Sequence, residues 1–176
     1  MKKVRLLAVL AIVGFFPLLG TAPAQSQTQD VNEIVFESTS SDGKWAPVRR
    51  GYWSNPAGFG ADKIFWKHKI DNFNLIASTH MAPPNQDGPS SYHYLQTVGR
   101  TRCDWTIGPF GDCEVYEEDI LRLVVDYRTD DPNIPTEPRT KGVITMYCTA
   151  RGPQFTECEP WVNTTIDYPP QGPWPF

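Results

Sequence analysis

The chain has 176 residues, a formal net charge of −4, 40% hydrophobic and 20% charged residues, and four cysteines. An acidic chain is repelled on average by a polyanion, so a broadly basic nucleic-acid-coating surface is excluded and only a local basic cleft is left for such a ligand. No Cys-x-x-Cys and no histidine spacing around the cysteines supports a zinc site, and no Gly-x-Ser-x-Gly supports a serine hydrolase, so neither metal nor cofactor is expected.

Residues 1–24 carry Lys2, Lys3 and Arg5 ahead of an apolar run from Leu6 to Leu19, then Ala22-Pro23-Ala24. This reads as a cleaved secretory signal, too short to span a bilayer, and predicts a secreted, extracellular product with no stable membrane insertion. Losing those three cations takes the charge from −4 to −7. About 150 residues are left, enough for one domain. Residues 25–57 mix isolated apolar positions with Ser, Asp, Gly and Pro and are predicted as an irregular arm, with a short strand only at Ile34-Val35-Phe36. The domain proper is predicted over 58–168.

Gly58-Phe59-Gly60 permits a tight turn, after which Asp62 suits a helix cap or first turn, and a short helix should end at Lys67-His68. Ile64 and His68 are four apart, which places the imidazole at the border of the apolar stripe. Asp71 is expected to cap a second helix, Asn72 to Met81, stopped by Pro83-Pro84, with Leu75 and Ile76 inward. A Gly/Pro/Ser loop follows over 85–91. From Tyr92 the pattern turns to period two, predicting strands over 92–102, 114–129, 142–150 and 155–166, with an extended Pro/aromatic tail at 169–176. The fold class expected is therefore α+β, with helices first and an antiparallel sheet of about four strands after them.

Cys103 and Cys113 lie ten apart, as do Cys148 and Cys158, and each pair brackets a Gly-Pro turn signal. Three pairings are open. The two local ones are favoured, because each closes a hairpin-like loop and is worth roughly 2.5–3 kcal/mol by loop entropy. Between Ala61 and Cys103 stand five Lys and Arg against three acids, together with all three histidines, whereas from Asp104 onward five cations face thirteen acids. The first of these segments is the only candidate for an anion-binding cleft. Asn163-Thr164-Thr165 matches a glycosylation acceptor.

Gly58, Gly60, Lys63, Ile64, Lys67 and His68 in one block, and Gly142 to Tyr147 in another, resemble the small secreted bacterial toxin ribonucleases. That α+β group includes barnase-like, EndoU-like and colicin-like toxin domains. The resemblance implies metal-independent RNA transesterification, with His68 as acid or base and Lys67 as its electrostatic partner. Thr145 and Tyr147, two apart on one strand, would face the phosphate or stack on a base. His93 is the preferred second histidine, because its strand also delivers Arg100, whereas His80 sits at a helix end. RNA would be the substrate and an immunity protein a partner. The alternative is a non-catalytic disulfide-bonded domain whose aromatic residues bind a protein or cell-surface component.

Overall fold

The computed structural model describes residues 29–104, 112–132, 134, 137–152 and 156–165. Four short strands open the chain: β1 (Ile34–Thr39), β2 (Trp45–Arg49), β3 (Tyr52–Ser54) and β4 (Ala57–Phe59). Two helices follow, α1 (Gly60–His68) and α2 (Asn74–His80). Strands β5 (Pro84–Gln86), β6 (Ser91–Asp104), β7 (Asp112–Asp126) and β8 (Gly142–Cys148) come next, and a 3₁₀ turn spans Pro160–Thr164. The last four strands form one antiparallel sheet in the order β5-β6-β7-β8, while β1-β2 and β3-β4 are separate two-stranded hairpins. The α+β class holds, with strands placed ahead of the helices.

The described part of the irregular arm expected over 25–57, from residue 29 on, thus forms two hairpins, the second ending at Phe59. Ser40 to Lys44 closes the first, with Ser40 N–H donating to Lys44 O (2.9 Å) and Gly43 N–H to Ser40 O (3.0 Å) at a positive φ of 82°. Asp-Gly between two apolar runs is a strong hairpin signal. The loop expected over 85–91 supplies the short edge strand β5. Of the strand expected over 155–166, the described residues 156–165 form none: Cys158 is tied to Cys148, and Pro160 opens a 3₁₀ turn around the buried Val162. Both local disulfides are present. Cys103 and Cys113 face each other in the β6-β7 ladder, whereas Cys158 lies beyond any strand. The Gly108-Pro109 turn, Pro153, the signal segment and the tail lie outside the described residues.

Asp62 lies in the first turn of α1, one of the two places expected for it, whereas Asp71 does not cap α2. Phe59 and Phe73 occupy the N-cap positions without side-chain bonds, and Asn72 Oδ1 accepts from Asn74 N–H (3.1 Å). Gly60 is required at the entry to α1: its φ is +75°, and a Cβ there would stand 2.4 Å from Arg49 O. The helix closes with Lys69 in the left-handed region (φ 60°) and Ile70 N–H returning to Ile64 O at 3.3 Å. Asn163 then locks the connection to α2, its Oδ1 accepting from Asp71 N–H (3.1 Å) and its Nδ2 donating to Lys69 O (2.9 Å). The asparagine of the glycosylation match therefore works as an internal clamp.

One core unites the parts. Ala46 and Val48 of β2, Ile64 of α1, and Leu75 and Ile76 of α2 pack with Tyr94, Leu121, Leu123, Val125 and Met146 of the sheet, all fully buried. Each buried aliphatic side chain contributes about 1.5–3 kcal/mol. Because pleating alternates sides, this burial assigns one sheet face to the core and frees the other.

Candidate functional site

Strand register sets the site. Directly opposed residues point to the same side, so the rows His93↔Val124↔Thr145 and Leu95↔Arg122↔Tyr147 share a face, and it is the face turned away from α2 and the core. His93 and Thr145 lie two strands apart, about 10 Å. Three of the six residues named from sequence, His93, Thr145 and Tyr147, are therefore brought to one face of the sheet. A fourth joins from the sheet edge, where the His68 ring at the end of α1 meets the Tyr147 ring with centroids 5.4 Å apart.

The other two do not converge. Arg100 sits on the opposite face, about 23 Å along β6 from His93, ion-paired with Glu117 (2.9 Å) and over the Tyr116 ring. Lys67 turns toward β3, its ammonium 5.0 Å from the Trp53 ring centroid.

His68 is not at the border of the apolar stripe but inside it, 2% exposed. A carbonyl can only accept, so Nδ1 carries the proton that it donates to Thr156 O (2.8 Å); Nε2 is buried without a partner among the described residues. Burial pushes its pKa down to about 4, and the charges of Lys67 and Lys63 add to this. Its own carbonyl accepts from Cys158 N–H (2.9 Å). A sealed, neutral imidazole that ties down the second disulfide loop has a positioning role. Thr145 is also buried, and its hydroxyl has no partner among the described residues.

His93 is the least buried of the three imidazoles, its side chain 16% exposed. Its Nδ1–H donates to the Asp87 carboxylate, which also accepts from Arg122 Nη2 at 3.2 Å. The hydrogen bond from His93 holds the Asp87 carboxyl below the usual carboxylate range, with the Arg122 charge assisting. The carboxylate fixes the tautomer and leaves His93 Nε2 as a directed proton acceptor beside a guanidinium. Asp87 and Arg122 were missed from sequence. Asp87 lies in a Gly/Pro/Ser stretch that reads as a plain loop, and Arg122 sits inside an apolar strand; only the register joins them.

A second polar cluster lies within the core. His80 is fully buried, with Nδ1 bonded to Ser38 Oγ (2.9 Å) and Nε2 to Tyr127 Oη (2.7 Å), and Tyr127 Oη meets Tyr94 Oη (2.9 Å). Burial lowers the His80 pKa to about 4 and, with the Tyr94 hydrogen bond, raises that of Tyr127. This chain of bonds joins β1, α2, β6 and the residue following β7. Every ring nitrogen is engaged away from solvent, so the cluster fastens elements together and offers nothing to a ligand.

The described residues contain no group of three or more metal-ligating side chains, and no helix among them is long and apolar enough to cross a membrane. No protein-family model, curated protein or solved structure matches the chain.

Proposed function

We propose that the chain is a secreted toxin-like ribonuclease whose reaction centre is the His93–Asp87–Arg122 group on the open sheet face. The observation that carries the reading is the bond from His93 Nδ1 to a carboxylate that Arg122 also holds. Such an arrangement leaves Nε2 to take the ribose 2′-hydroxyl proton while the 2′ oxygen attacks phosphorus and the P–O5′ bond breaks, the departing 5′ oxygen taking its proton from water. Arg122 supplies positive charge where the phosphorane becomes more negative, and the Tyr147 hydroxyl on the same face can donate to a phosphate oxygen. His68, first choice from the toxin resemblance, becomes the support of Tyr147. Export is supported by the signal-like leader and by two disulfides, which persist in oxidising compartments.

The test is digestion of total RNA by the purified mature protein in EDTA. His93→Ala should lower cleavage by about 10²- to 10⁴-fold at unchanged melting temperature, and Asp87→Asn should lower it by a smaller factor. His68→Ala should mainly lower the melting temperature. RNA left intact by the wild-type protein, or equal cleavage by His93→Ala, overturns the reading. The second reading is a non-catalytic module for an immunity or surface protein. It is favoured by Val115 and Tyr116, exposed by 58% and 48% on the stretch of β7 that β8 does not cover.

A further inference from the structure

The outer side of α1 is unusual in a chain this acidic. Lys63 and Lys67 stand four apart on one helix face, where like charges repel, and neither has a carboxylate partner among the described residues. Lys63 is partly withdrawn from water; burial lowers its pKa, and Lys67 lowers it further. Trp66, three residues from Lys63 and so on the same side, is 51% exposed, which is a large apolar surface to leave in solvent.

The fold holds a second indole here. Lys67 lies over the Trp53 ring, and Trp53 is opposed in the β3-β4 hairpin by Gly58. A Cβ at Gly58, whose φ is +154°, would stand 3.0 Å from Trp53 Cε3 and 2.4 Å from Tyr52 O. Glycine at this turn therefore makes room for the ring that meets the lysine. The result is a strip with two ammonium groups and two indoles, bordered at the C-terminal end of α1 by His68 and hence by Tyr147 of the open sheet face.

We infer that Lys63, Lys67, Trp53 and Trp66 form a binding track for single-stranded nucleic acid, leading away from the His93 centre. Lysines without a carboxylate partner neutralise backbone phosphates, the exposed Trp66 indole can stack bases of any sequence, and the half-buried Trp53 ring holds Lys67 in place. An acidic peptide or an anionic lipid surface would use the same charges, but a flat aromatic platform between cations favours a base-bearing polymer. The inference rests on the ribonuclease reading for its biological sense, yet binding and cleavage can be scored apart.

The probe is a fluorescein-labelled 12-nucleotide oligodeoxynucleotide, which lacks the 2′-hydroxyl and is not cut by this chemistry. Anisotropy should show binding that weakens with salt. Lys63→Glu/Lys67→Glu should reduce affinity at least tenfold and flatten the log–log salt slope by about 1.4, at 0.7 per phosphate. Trp66→Ala should reduce affinity about tenfold with the salt slope unchanged, since stacking is not ionic. Should the reversal variant fold poorly by circular dichroism, Lys63→Gln/Lys67→Gln serves instead, with the same loss of slope. The oligonucleotide is bound but not cut, so a failure of the cleavage reading leaves this result standing. No binding at 50 mM salt, affinity equal to wild type in both lysine variants, or binding to phosphatidylglycerol vesicles without binding to the oligonucleotide overturns the inference.

Discussion

Taking the protein from pH 7.5 to pH 4 should cost it several kcal/mol of stability, chiefly through two histidines that fold in the neutral state. His80 is fully buried and His68 is 2% exposed, and burial brings each pKa from the ordinary 6.5 to about 4. The unfolded chain takes up these protons near pH 6.5 and the folded chain only near pH 4, so stability is full above the first value and falls across that interval. The slope per histidine is about 1.4 kcal/mol for each pH unit, and some solvent screening brings the total to roughly 2–3 kcal/mol each. Asp42, the charge that most favours protonated His80, weakens the effect there, whereas Lys63 and Lys67 strengthen it at His68. Against a net stability of about 5–15 kcal/mol this is a large fraction. Thermal melts at half-unit pH steps should show the fall. His80→Gln, which has no proton to take up, should lower stability at pH 7.5 and flatten the curve, and an unchanged slope in that variant would rule His80 out as a source.

Replacement of Arg49 by alanine should cost about 3–5 kcal/mol, enough to leave much of the protein unfolded at 37 °C. Arg49 is 1% exposed, and its guanidinium donates to three main-chain carbonyls, Asn32 O (2.8 Å), Pro138 O and Thr140 O (3.0 Å). Burial lowers its pKa, and only the more distant Asp30 acts to raise it. Hydrogen bonds from a charged group contribute about 1.5–3 kcal/mol apiece, and truncation removes three of them from partly buried carbonyls. The side chain holds the segment before β1 and the segment before β8 to the end of β2. Arg49→Lys keeps the charge but offers a point donor in place of a planar fork, so it should recover less than half of the loss. Urea denaturation with fluorescence detection reads both variants, and a midpoint for Arg49→Ala within 0.3 M of wild type would show that the clamp contributes little.

Local chemistry was legible wherever it depended on near neighbours. The apolar alternation from Tyr92, the stop before Pro83, the inward Leu75 and Ile76, and the two ten-residue cysteine spacings follow from period and turn residues, and the structure contains each of them. The first hairpin was open to the same reasoning, since Asp42-Gly43 separates two apolar runs, but prolines and scattered polar residues masked it. Pro47 inside β2 is tolerated because that hairpin has only two strands.

Functional side chains obey a different rule, because what they can do depends on partners distant in sequence. The Lys67-His68 helix end was conspicuous in the chain, yet the Cys148–Cys158 loop brings Thr156 against His68 and seals it, a contact spanning 88 residues. His80, set aside as a helix-end residue, anchors a buried polar network because β1 supplies Ser38 and the residue following β7 supplies Tyr127. His93 gains its chemistry from Asp87 and from Arg122, which is two positions along β7 from the residue opposite His93. Sequence by itself determined the α+β class, the strands from Tyr92 onward and the charge asymmetry, and it favoured the disulfide pairs found, since these reside in composition and short spacing. Strand register and helix docking decided which imidazoles are sealed and which one faces water, because burial and hydrogen-bond partnership, the terms that set proton affinity, are properties of the packed chain.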